Sequence, residues 1–182
     1  VHGSEDELAE LACARLPPLR KPVVLVGGLG MGFTLAAALR RLGPEARLIM
    51  VEMVPAVVRW NRETLGHLAE HPLRDSRVEL RVEDVAETIR NHRRAFDAVL
   101  LDVDNSPQGF TSKSNDWLYS DRGLEAAGQA LRDRGILAQW SYQADRSYVA
   151  RLCKAGYSVE EARVRGRKGK GSHNVIWLST RP

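Results

Sequence analysis

The chain has 182 residues, 43% of them apolar and 27% charged, which is the balance of one globular domain of roughly 100–200 residues and excludes a disordered chain, a coiled coil or a collagen-like repeat. Its 27 Lys and Arg against 23 Asp and Glu leave a net charge of +4, modest for a dedicated nucleic-acid binder, so nucleic acid is not the expected partner. The two cysteines, Cys13 and Cys153, stand far apart and read as free thiols of a reducing, cytoplasmic compartment.

The longest uncharged run, residues 22–39, is broken by four glycines, so no membrane span is expected. The sequence starts at Val1 rather than Met, which leaves room for an upstream segment ahead of a single domain over 1–182.

Residues 4–15 predict a short amphipathic helix, with Ser4 and Glu7 at capping-box spacing and Pro17-Pro18 ending it. Val23-Val24-Leu25-Val26 is an apolar, β-branched run, as in a strand buried on both faces. A glycine-rich turn, 27–32, leads into a helix over 33–42 with Leu35, Leu39 and Leu42 on one face. The unit then recurs, with strand 47–51, helix 55–70 opened by Pro55, strand 77–82, helix 85–91 and strand 96–103. Residues 104–120 have no period and read as a long loop, which in a compact domain is often a lid or binding loop. Helix 121–134, strand 135–140 and helix 145–155 follow. Strands 157–165 and 173–179 are joined by a connection too short for a crossover, so they should be antiparallel. Alternating strands and helices imply an α/β, doubly wound, Rossmann-like fold with a seven-stranded, mostly parallel sheet and an antiparallel last strand.

In such sheets the ligand sits beyond the carboxyl ends of the strands, where strand order reverses. Three features fall at such ends. The turn Gly28-Leu29-Gly30-Met31-Gly32 follows the first strand, and glycine there lets the backbone turn and a ligand approach. Glu52, followed by Met53, closes the second strand, where a carboxylate can accept from both ribose hydroxyls. Glu83-Asp84-Val85 follows the third strand, where Asp84 can accept from an exocyclic amine. The dinucleotide spacing G-x-G-x-x-G would put its third glycine at Phe33. The turn is G-x-G-x-G instead, which favours a ligand without a pyrophosphate, such as S-adenosylmethionine.

The fourth strand runs Phe96-Asp97-Ala98-Val99-Leu100-Leu101 into Asp102, then Val103-Asp104-Asn105. A carboxylate at Asp102 can hold the ligand's amino group, or orient an acceptor amine and take its proton. Asp104 and Asn105 are further candidates for the reaction. Gln108, Phe110, Asn115, Trp117 and Tyr119 from the loop, with Gln139, Trp140 and Tyr142 from the end of the fifth strand, are candidates to line an acceptor pocket. The five histidines show no metal-ligand spacing, and no metal is expected. Arg90, His92, Arg93 and Arg94 form one basic cluster. Arg163, Arg165, Arg167, Lys168 and Lys170 form another, which reads as a solvated hairpin tip.

The run from Val23 to Gly32, Val51-Glu52, residues 75–80, Asp84 and residues 96–102 together resemble the spermidine synthase family, which lies within the S-adenosylmethionine-dependent methyltransferase fold. The resemblance covers about residues 4–141. It implies that Glu52 binds ribose, that Asp84 binds the adenine amine, and that Asp102 matches the family's catalytic Asp. It also implies decarboxylated S-adenosylmethionine as cofactor, a polyamine product and a homodimer. The sequence departs from the family in two places. The family's D-[S/T]-x-D-P loop has Asn105 where its second Asp belongs. The family's Tyr-His-Glu run in the opening helix becomes Leu8, Ala9 and Glu10. The expectation is therefore a spermidine-synthase-like transferase moving a methyl group from S-adenosylmethionine to a small-molecule or peptide acceptor. Aminopropyl transfer from the decarboxylated form is the close alternative, and a catalytically silent nucleoside-binding scaffold is the third.

Overall fold

The structure is a computed structural model that describes residues 3–18, 20–103, 113–165 and 173–181. Its strands are β1 (Val23–Gly27), β2 (Arg47–Val51), β3 (Val78–Arg81), β4 (Phe96–Leu101), β5 (Leu131–Ser141), β6 (Ser158–Arg165) and β7 (His173–Thr180). They form one sheet in the order β3-β2-β1-β4-β5-β7-β6. β7 runs antiparallel to both its neighbours, while the strands from β3 to β5 pair in parallel. The helices are α1 (Gly3–Ala14), α2 (Phe33–Arg41), α3 (Pro55–Glu63), α4 (Val85–Arg90), α5 (Lys113–Leu118), α6 (Asp121–Ala130) and α7 (Arg146–Lys154).

Alternate residues of the central strands enter two cores, which is why those strands are apolar throughout. Val24, Val26, Leu48, Met50, Ala98 and Leu100 pack with Leu8 and Ala12 of α1 and Leu35 and Leu39 of α2. Leu25, Ile49, Val51, Val99 and Leu101 pack on the other face with Ile89 of α4, Leu124 of α6 and Tyr148 of α7. Truncating one such leucine or isoleucine to Ala costs about 2–5 kcal/mol. These two layers fix the carboxyl ends of β1, β2 and β4 side by side. The sheet order reverses between β1 and β4, which opens a crevice there.

Three segments differ from the sequence expectation. The helix predicted over 55–70 stops at Glu63 and breaks into two short 3-10 turns, Gly66–Ala69 and Pro72–Arg74. Gly66 lies so close to the Asn61 carbonyl that a Cβ would come within 2.2 Å of it, and Glu70 and His71 turn the chain with positive φ. The predicted loop 104–120 ends in α5, which is too short to show a period. The helix predicted to reach residue 134 stops at Ala130, because β4 captures the chain. Arg94 N donates to Gln129 O and Ala95 N to Ala130 O, and Phe96 pairs with Leu131. Among the described residues, no helix is long and apolar enough to cross a membrane.

Candidate functional site

A cleft of about 580 Å³ opens at the reversal point, lined among the described residues by the glycine turn and by the strand-end acids. Gly28 (φ +91°) lies against the end of β4, where a Cβ would meet the Asp102 carbonyl oxygen at 2.3 Å, so only glycine fits. Gly28 N donates to Val51 O and Asp102 N to Gly27 O. The turn is thereby laced to both neighbouring strands.

Glu52 is the most constrained acid in the cleft. It is 9% exposed; Oε2 accepts from Leu29 N at 2.9 Å and Oε1 from Val54 N at 2.8 Å. Each carboxylate oxygen keeps a further lone pair, so the side chain can still accept from a diol. Asp84 caps α4, with Oδ1 accepting from Ala86 N at 2.8 Å. Glu83 Oε1 accepts from Thr88 Oγ1 at 2.6 Å. Asp102 Oδ2 accepts from Thr34 Oγ1 at 2.5 Å.

The structure brings Gly28, Leu29, Gly30, Met31, Glu52, Met53, Glu83, Asp84, Val85 and Asp102 together around this one cleft. Gly32 is not among the lining residues. It faces the second 3-10 turn, where a Cβ would meet Pro72 at 3.0 Å, and it precedes the first residue of α2 with positive φ. Asp104, Asn105, Gln108 and Phe110 lie outside the described residues, as do the Asn115 side chain and residues 166–172 of the basic hairpin.

The remaining acceptor-pocket candidates do not line the cleft. Tyr119 is buried in the core, and Gln139 of β5 is buried too, with Tyr148 Oη donating to Gln139 Oε1 at 2.6 Å. Burial, and then the Asp102 carboxylate, push the Tyr119 phenol above its ordinary range. Trp117 lies under the Arg90 guanidinium, 3.9 Å from its ring centre, and Tyr142 is exposed beyond β5. Trp140 is partly buried against the core on the α1 and α2 face. No group of three or more potential metal ligands occurs among the described residues.

Three positions that line or brace the cleft escaped sequence reasoning. Glu5 of α1 lines the cleft. Thr34 supports Asp102, and the available signal was a lone hydroxyl in the otherwise apolar start of α2. Asn61 of α3 is 2% exposed, and its Nδ2 donates to Gly30 O at 2.8 Å and to Val57 O at 3.0 Å. It holds the turn from behind, and it was a single amide in a helix read only for the proline that opens it.

Residues 4–160 match the Spermine/spermidine synthase domain, and the chain belongs to that family. No curated protein sequence matches it. Its fold is similar to that of spermidine synthase from Thermotoga maritima, with TM-score 0.78, 18% identity, and 98% of this chain aligned to 59% of that one. A spermidine synthase in complex with the transition-state analogue AdoDATO aligns with TM-score 0.77 and 18% identity, covering 98% of this chain and 58% of that one. Human methyltransferase-like protein 13 in complex with SAH aligns with TM-score 0.73 and 21% identity, covering 98% and 82%. The chain thus spans about three fifths of the spermidine synthases it resembles, and the fold is shared with methyltransferases.

Proposed function

We propose that this chain is a transferase that binds a sulfonium nucleoside in the cleft and passes an alkyl group from it to an amine. The observation that carries this reading is the charge of the lining. Glu5, Glu52, Glu83, Asp84 and Asp102 line the cleft, and no Lys, Arg or His does so among the described residues. Backbone amides hold Glu52 and Asp84, and Arg81 pairs with Glu83 at 3.9 Å from outside the lining; the carboxylate surplus that remains around the cleft focuses a negative potential that draws a cationic ligand.

S-adenosylmethionine carries a carboxylate that such a lining opposes. Its decarboxylated form carries a sulfonium and an ammonium and no carboxylate. The charge of the cleft therefore favours the decarboxylated form, and with it aminopropyl transfer. In this reading Glu52 accepts the ribose hydroxyls and Asp84 the adenine amine, while Met31, Met53 and Val54 supply the apolar wall. The bound nucleoside supplies a sulfonium carbon with a good leaving group. What the protein adds is alignment and exclusion of water, with Asp102 orienting the acceptor amine and taking its proton.

A second reading, methyl transfer from intact S-adenosylmethionine to a small-molecule or peptide acceptor, draws on α1. Leu8 and Ala9, at the positions of the family's tyrosine and histidine, are wholly buried and present nothing to an acceptor. Calorimetric titration with both nucleosides decides between the two. At least tenfold tighter binding of the decarboxylated form, about 1.4 kcal/mol, supports aminopropyl transfer. Preference for the intact form supports methyl transfer. Binding of neither removes both readings, and binding of either without turnover leaves the silent nucleoside-binding scaffold.

A further inference from the structure

A second polar groove lies at the opposite end of the sheet, at the amino ends of β4 and β5. It has a volume of about 340 Å³ and is lined by Arg93, Arg94, Arg132 and Arg181, with Asp133 its one carboxylate among the described residues. We infer that this groove is an anion site for a ligand carrying adjacent phosphate groups.

The first observation is charge. Four guanidiniums converge on one groove, and the carboxylates in reach do not balance them. Arg132 Nη1 donates to Asp97 Oδ2 at 2.8 Å, and that oxygen also accepts from Val23 N at 2.7 Å. The Arg132 fork is thereby anchored on a buried acid. Arg94 pairs with Asp133 at 2.6 Å, but both side chains are about 70% exposed, so an incoming anion can compete for that guanidinium. Arg93 and Arg181 make no ion pair among the described residues, and Arg181 lies against Gly128, where a Cβ would meet its Nη1 at 2.4 Å.

The second observation is the backbone that presents them. Phe96 pairs with Leu131 and Ala98 with Ile136, so residues 132–135 bulge out of the β4–β5 ladder. Arg94 (φ +47°) and Arg134 (φ +60°) both adopt the left-handed region, which is uncommon for residues other than Gly, Asn and Asp. Bulges and such residues concentrate where a chain re-aims side chains for function. Here the bulge and the turn before β4 set Arg94 and Arg132 together, with Arg132 Nε reaching Arg94 O at 3.4 Å.

Guanidinium forks match phosphate oxygens in pairs, and the surplus of two positive charges left by Arg93 and Arg181 beside the paired Arg94 and Arg132 selects a ligand with more than one negative charge. Free pyrophosphate and a phosphodiester chain both supply this chemistry.

The test is calorimetric titration of the whole chain with pyrophosphate, and with a short single-stranded RNA, at about 50 mM and about 200 mM salt. The inference expects binding at low salt that weakens with salt and falls at least tenfold in R93A/R181A. Arg93 is exposed and Arg181 partly so, and circular dichroism checks that the variant folds. Tighter, steeply salt-dependent RNA binding that also falls in R93A/R181A assigns the phosphates to a nucleic-acid strand. Pyrophosphate binding without RNA binding assigns them to a small molecule. No binding of either probe, binding unchanged in R93A/R181A, or pyrophosphate binding abolished by E52A in the cleft overturns the inference.

Discussion

Thr34 donates its hydroxyl to Asp102 Oδ2 across 2.5 Å, which ties the first turn of α2 to the carboxyl end of β4. Thr34 is 2% exposed, and its other contact, to Glu5 O, is long at 3.4 Å. A hydrogen bond to a charged group is worth about 1.5–3 kcal/mol when water is excluded, enough to fix one orientation of the carboxylate. Thr34→Val keeps the shape and removes the donor. Turnover should fall about tenfold, and Thr34→Ser should restore it. In a Thr34→Val/Asp102→Asn double variant the two losses should not add, because both act through one carboxylate. Additive losses would detach Thr34 from the reaction.

Glu52 supports the cleft twice, as an acceptor for Leu29 N and Val54 N and as the proposed ribose ligand. Glu52→Ala leaves two amides without their acceptor, at about 1–3 kcal/mol each where buried. Nucleoside affinity should drop about 100-fold in calorimetry, and the melting temperature should fall as well. Glu52→Gln retains an acceptor oxygen for one amide but turns an NH₂ toward the other, so its stability should lie between the two. Wild-type affinity in both variants would remove Glu52 from the site.

The sheet and the cleft were legible in the sequence for a common reason. Strands buried on both faces must be apolar runs, and chemistry at their carboxyl ends must interrupt those runs with glycine or acid. Gly28, Glu52, Asp84 and Asp102 announce themselves in this way. The acceptor-pocket candidates did not, because an aromatic or amide side chain reads alike in a core and in a pocket. Tyr119 and Gln139 went to the core through the Tyr148 hydroxyl and the edge-to-face contact of Tyr119 with Tyr148. The end of α6 was misplaced because its apolar period continues through Leu131. Pairing with β4, a long-range event, overrides that period there.

Asp75 and Arg77 brace the entry to β3. Asp75 Oδ1 accepts from both Arg77 N and Arg77 Nε, and Arg77 Nη1 reaches Leu42 O at 2.7 Å after α2. The hydrogen bond from Arg77 holds the Asp75 carboxyl below its ordinary range. Glu79 in β3 is held low by hydrogen bonds from Arg47 of β2 and then Arg81. A depressed folded-state pKa stabilises fully above the unfolded value, near 4 for these groups, and that stability is lost as pH falls through the folded value. Unfolding free energy should therefore be level in these two groups above about pH 5 and decline below about pH 4. Arg77→Ala should flatten that acid decline in urea titrations run across pH. An unchanged decline would mean that other carboxylates set it.

Asn61 is the last link between sequence and cleft. Its side-chain amide spans α3 and the glycine turn, donating to Gly30 O, while Gly32 N closes the turn on Leu29 O at 2.7 Å. Asn61 Oδ1 is buried without a partner among the described residues, so the side chain is kept at some cost for what Nδ2 holds. Asn61→Ala should loosen the turn without altering any lining side chain. Amide exchange at residues 29–32 should quicken, and nucleoside affinity should fall about threefold to tenfold, or roughly 0.7–1.4 kcal/mol. Exchange in β1 and β4 should stay slow, because the core strands open only with the whole domain. Faster exchange throughout would make Asn61 an ordinary packing residue, whereas a change confined to the turn ties its amide to the shape of the cleft.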